Sequence, residues 1–149
     1  MRKILIAVAV AAFPFAAVAQ EGHSMAGHGK GAMSLPEVCE AAAGFIDMSK
    51  MMEGMQASMP AGRMDEVQKA NHKVMMMMHG PMMKAAMIKD PDLAFNCGMI
   101  AHHQGAIAMS EVELKMGKDE KSKEMARMII DAQKKEIEEM TARVEALAK

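Results

Sequence analysis

From Ser34 to the carboxy terminus, apolar residues recur every three or four positions in four successive runs, the period of amphipathic helices. Ser34 followed by Glu37, with Pro36 between them, is a capping-box pattern that opens the first run. Val38, Ala41, Phe45, Met48, Met52, Met55 and Met59 then keep a 3,4 spacing until Pro60 and Gly62 stop it. The second run spans about Met64 to His79, with Met64, Val67, Asn71, Val74 and Met78 on one line. His72, Met75, Met76 and His79 lie on a neighbouring line. Gly80-Pro81 is expected to kink or end this helix, and Met82, Met83 and Met87 carry thioethers on towards the next turn.

The third run has the clearest start. Asp90 is the N-cap, Pro91 takes the first helical position, and Asp92 meets the positive end of the helix dipole. Phe95, Met99, His102, Ala106, Met109, Glu113 and Met116 follow in steps of four and three, and the helix ends near Gly117. The small residues Gly98, Ala101, Gly105 and Ala108 form a second seam that lets another backbone come close. The last helix starts at Asp119 and has Ala126, Ile130, Gln133, Ile137, Met140, Val144 and Leu147 as its inner line, with a Lys/Glu-rich outer face. Four amphipathic helices, short turns and no strand pattern predict an all-α antiparallel four-helix bundle over residues 35–149.

The amino-terminal part reads differently. Residues 1–19 carry Arg2 and Lys3, an apolar run from Ile4 to Ala17, and the small-x-small site Ala17-Val18-Ala19, a cleavable secretory signal. Residues 20–34 are rich in Gly, His and Met without apolar periodicity, and are expected to be a disordered tail. Cleavage leaves about 130 residues, enough for one domain and with no membrane span in the mature form. The mature net charge of about −3 argues against nucleic acid as a partner.

Helical spacing places Met99 between His102 and His103 on the surface of the third helix, so both imidazoles flank one sulfur and are expected to face inward. Folding the second helix back about residues 89 and 90 sets position 102 level with about 77 and 99 with about 80. That register brings Met75, Met76 and His79 to the height of Met99, His102 and His103.

Composition supports a chemical reading of this cluster. The chain has 22 Met, whereas Leu occurs in the mature part only at positions 35, 93, 114 and 147. Leu specifies a helical core better than Met does, so the excess calls for another cause. Thioethers are neutral soft ligands that suit Cu(I), and they persist where free thiols oxidise. Met75-Met76-Met77-Met78 also spans too much of a helix to be wholly buried. Copper or silver is therefore the implied cargo. Met48, Met51, Met52, Met55, Met82 and Met83 form a neighbouring cluster for further, weaker ions.

Cys39 and Cys97 are the two cysteines, and in a secreted chain they are expected to pair as a disulfide; the alternative is a pair of thiolate copper ligands. None of the six His has a Glu three residues before it, against a di-iron bundle. No nucleophile–base pair, phosphate loop or cysteine-type zinc spacing occurs, so the chain is not read as an enzyme. A competing reading is a Met-rich helical interaction or chaperone module without a specific metal.

Phe95 to Met109, with Glu111-Val112-Glu113-Leu114-Lys115 and Gln133-Lys134-Lys135-Glu136-Ile137, resembles the secreted bacterial family called domain of unknown function 305, which includes CopM-like copper-binding proteins. The likeness covers Asp90 to about Arg143 and centres on Met-Ile-x-His-His-Gln-Gly-Ala-Ile-x-Met. It implies a ferritin-like four-helix bundle, a periplasmic location, and Met/His binding of Cu(I), with Ag(I) alongside, in copper resistance. A copper efflux or copper-transfer partner would fit that role. By position, the motif residues are Met99, His102, His103 and Met109, with Gln104 as a further motif position. Ala101 stands where members often have Pro, and Ala108 where many have Asp, which removes one carboxylate from beside the histidines. The full expected ligand set is Met99, His102, His103, Met109, His79, Met75 and Met76.

Overall fold

The structure is a computed structural model, and it describes residues 33–45, 47, 49, 53–54 and 64–149. The expected signal, the tail through residue 32, Met48, Met52, Met55 and Met59 of the first seam, and Met51 of the methionine cluster lie outside the described residues. Among the described residues four helices with defined bounds follow in order: α1 Glu37–Ala43, α2 Glu66–Ala86, α3 Pro91–Met116 and α4 Glu120–Leu147. They form an all-α four-helix bundle, with no strand among the described residues. None of the described helices is long and apolar enough to cross a membrane.

Three of the four helices start on an aspartate cap. Asp90 accepts from the Leu93 N–H at 2.8 Å, and Pro91 follows it at the first helical position as expected. Asp119 accepts from the Ser122 N–H at 2.7 Å, and this bond holds its carboxyl below the ordinary value of 3.8. A lowered carboxyl makes the cap's contribution complete above that value and lost as pH falls through the lowered one. The cap of α2 is a reciprocal box: Asp65 accepts from the Gln68 N–H at 2.8 Å while Gln68 Oε1 accepts from the Asp65 N–H at 3.0 Å.

Two boundaries differ from expectation. Pro36, rather than Ser34, caps α1, without any side-chain cap bond. The helix then ends at Ala43 because Gly44 adopts φ +71°, a left-handed backbone that glycine enters freely and that breaks the predicted seam. Phe45, placed by its spacing on that seam, is 98 % exposed. In α2, the helix does not stop at Gly80-Pro81 but continues to Ala86. Pro81 forfeits one backbone hydrogen bond, and the tight packing of α2 on α3 carries the helix through it.

α3 is the central element. It packs against α1, α2 and α4, whereas α2 and α4 flank it without approaching each other, and α1 covers one side. The core gathers Leu35, Cys39, Ala85, Ile88, Cys97, Ile100, Ala101 and Val144. The Cys39–Cys97 disulfide lies within it, fully buried, and ties α1 to the first turns of α3. Lys84 of α2 adds an ion pair to Glu40 of α1 at 2.5 Å. On α4 the expected inner line holds, with Ala126 and Val144 buried and Ile130, Gln133, Ile137 and Met140 half-buried.

The small-residue seam of α3 lets α2 approach. A Cβ on Gly98 would sit 3.7 Å from the Ala85 Cβ, and one on Gly105 would run into the Met78 thioether. These two contacts set the register: Gly98 is level with Ala85 and Gly105 with Met78. Position 102 is therefore level with about 81 rather than 77, one helical turn from the expected pairing. The shift arises because α2 runs on to Ala86 and the chain reverses close to Pro91. Gly105→Leu is expected to cost roughly 1–3 kcal/mol through overpacking against Met78, read as a lower midpoint in urea unfolding.

Candidate metal centre

The side of α3 that faces outward is set by what it buries. Cys97, Ile100, Ala101, His103, Gly105 and Ser110 are the buried positions of the helix. Phe95, His102 and Met109 are exposed, at 64 % for Phe95 and 49 % for Met109, and Met99 is half-buried. The sequence pattern turned both histidines inward; the structure turns only His103 in. The line from Phe95 to Met109 is the outer stripe of α3 because the disulfide at Cys97 and the small seam at Gly98, Ala101 and Gly105 claim the other sides for α1 and α2.

Helical geometry extends this face onto α2. Lys84 reaches α1, and at about 100° per residue Met75 and His79 lie roughly 180° and 140° round the helix from it. Phe95, Met99 and His102 are likewise about 140–160° round α3 from Cys97. Met75, His79, Met99, His102 and Met109 thus share the side of the α2–α3 pair turned away from α1. His79 stands at the height of Gln104, about half a turn from the height of His102. Met109 is about two turns further along from His102, in a shallow groove with Val67, Asn71, Val112, Glu113 and Met116. Met75, about half exposed, is level with the same end. Met76 lies on the opposite side of α2 from the Met78 contact and does not join this face.

His103 occupies the seam between α3 and α4, beside the outer face. Its side chain is 8 % exposed, and its ring centroid is 5.8 Å from that of His102. Nε2 lies 2.7 Å from Glu136 Oε2, and Gln133 Nε2 donates to the same oxygen at 3.1 Å. The other ring nitrogen, Nδ1, is buried and has no hydrogen-bond partner. Leaving a buried polar atom unmatched costs on the order of 1–3 kcal/mol, so this atom calls for an explanation. An imidazole that donates one N–H to a carboxylate and keeps a lone pair on the other nitrogen is the arrangement by which metal-binding histidines are oriented.

Glu136 was not among the expected site residues. It stands 33 positions from His103 in sequence, and only helix packing brings the two together. The signal was there in the Gln133–Glu136 stretch, at the three-residue spacing that sets both side chains on one face of α4. Gln104, the motif position beside the histidines, acts structurally. Its Nε2 donates to the Ser34 carbonyl at 2.9 Å and holds the chain entering α1 against α3.

The cysteines are outside the donor set. Both sulfurs are spent in the disulfide and fully buried, so they are not thiolate ligands. Among the described residues no three His, Cys, Asp or Glu side chains converge on one point.

A comparison with the curated proteins finds no match. The family whose description reads domain of unknown function (DUF305) matches residues 43–144, from the end of α1 almost to the end of α4 and well over half of the chain. The chain belongs to the DUF305 family.

Proposed function

We propose that this protein binds Cu(I), and Ag(I) alongside it, through methionine and histidine side chains on the outer face of α3, and that it serves copper resistance in the periplasm by sequestering or carrying the ion. The observation that carries this reading is the buried, unpartnered Nδ1 of His103 next to the His102 ring, with Met99 between the two histidines on the helix surface. Two imidazoles and a thioether form a donor set without anionic ligands, which suits a soft monovalent d¹⁰ ion. His79, Met75 and Met109 extend the face with further soft donors for transfer or for additional ions. Met76, on the far side of α2, would act only from there.

The expected secretory signal and the disulfide both fit an oxidising compartment, where thioethers remain usable and thiols do not. A copper efflux or copper-transfer protein is the kind of partner such a carrier needs. The test is anaerobic titration with Cu(I) held by a chromophoric chelator, in ascorbate, which leaves the disulfide intact. Withdrawal of copper from the chelator at a fixed stoichiometry is expected. Failure to compete at any chelator concentration would remove copper binding, and the exposed thioethers would then fit an interaction module whose partner binding is indifferent to chelators.

A further inference from the structure

Resting on the copper reading above, we propose that His103 takes the ion through Nδ1, and that Glu136 is the positioning residue that makes this so by keeping the ring's proton on Nε2. The two ring nitrogens are not equivalent here. Nε2 faces a carboxylate oxygen at 2.7 Å, which as an acceptor requires a hydrogen on the nitrogen. Nδ1 is buried without a hydrogen-bond partner, so a ring protonated on Nε2 alone keeps a free lone pair there. A ring turned over about Cβ–Cγ would set a carbon against Glu136 and lose the bond. The observed orientation is the one that α4 selects.

The carboxylate is itself held. Gln133, one turn earlier on α4, donates its amide to the same Oε2, so the oxygen that meets the imidazole is fixed from two sides. Half of the Glu136 side chain stays in water. A carboxylate across the ring would offset part of a bound monocation's charge, which imidazole and thioether donors do not. The effect on the ion is a stronger nitrogen donor, a set ring plane and a compensating charge that makes no direct contact. This also explains how a chain with Ala108 beside its histidines keeps an acidic partner for them: α4 supplies it across the bundle.

The experiment is nitrogen NMR of uniformly labelled protein, metal-free and after one equivalent of Ag(I), joined to Cu(I) competition titrations of Glu136→Ala and Glu136→Gln. In the metal-free protein the His103 proton is expected on Nε2, and Ag(I) is expected to shift the Nδ1 resonance while Nε2 stays protonated. Glu136→Ala should weaken Cu(I) binding about ten- to hundredfold, and Glu136→Gln less, because its amide oxygen still accepts from Nε2. Both variants should keep the wild-type helical circular dichroism. A proton on Nδ1 in the metal-free protein, a silver shift at Nε2, or a Glu136→Ala affinity equal to wild type would each overturn the proposal. Wild-type protein that takes up neither ion sinks the copper reading instead, while the metal-free spectrum still decides the role of Glu136.

Discussion

Replacing Cys39 and Cys97 together by Ala is expected to lower the stability of the domain by about 4 kcal/mol, the chain-entropy value for a loop of this length. The sulfurs lie 58 residues apart in sequence, and they join a seven-residue helix to a twenty-six-residue one. A helix as short as α1 does not hold itself in water, and its place rests on Leu35, Cys39 and the Gln104 bond to Ser34 against α3, and on the Lys84–Glu40 pair to α2. Cutting the covalent link also opens space at the centre of the core, which adds to the loss. Differential scanning calorimetry should show a melting temperature lower by about 15 °C. A shift of only a degree or two would mean that α1 is held by packing alone and that the loop gains little from closure. The copper affinity of this variant should stay near that of wild type, because the outer face lies on the other side of α3.

The second large effect concerns binding. The double variant His102→Ala/His103→Ala should weaken Cu(I) binding at least tenfold if both rings are ligands, judged against the roughly ten- to hundredfold losses that follow removal of groups merely supporting a ligand. The two single variants separate binding from folding. His102 is exposed, so His102→Ala should lower affinity and leave urea unfolding unchanged. His103→Ala removes a buried ring together with its bond to Glu136 and should do both. Chelator competition that gives the same affinity for the double variant and the wild type would assign the ion to other residues.

Much of this molecule was legible without coordinates, and the reason lies in which interactions are local. The caps at Asp90 and Asp119, the proline at the first position of α3, and the inner line of α4 all follow from contacts within a few residues of one another. The same holds for the small seam at Gly98 and Gly105, which is a property of one helix whatever packs on it. Where local signals misled, a competing local rule had won at Gly44 and packing on α3 had won at Pro81. Gly44 entered a left-handed conformation and ended α1 early, and Pro81 was carried inside a helix that its neighbours stabilise. The pairing of two cysteines in a chain read as secreted needed no geometry beyond their count.

The chain by itself therefore determined the helical class, most helix starts and the supply of soft donors, and made a disulfide the expected state of its two cysteines, because spacing, capping and composition are written residue by residue. Which side of α3 faces outward was decided only in the tertiary structure. An apolar stripe of Phe95, Met99 and Met109 reads as core on any helical wheel, and only the competing claims of Cys97, Ile100 and the glycine seam push it out. The one-turn shift between α2 and α3 and the meeting of His103 with Glu136 belong to the same class. Both depend on how far one helix slides along another, and that is settled by side chains interlocking across the bundle, whose energy no single stretch of sequence contains.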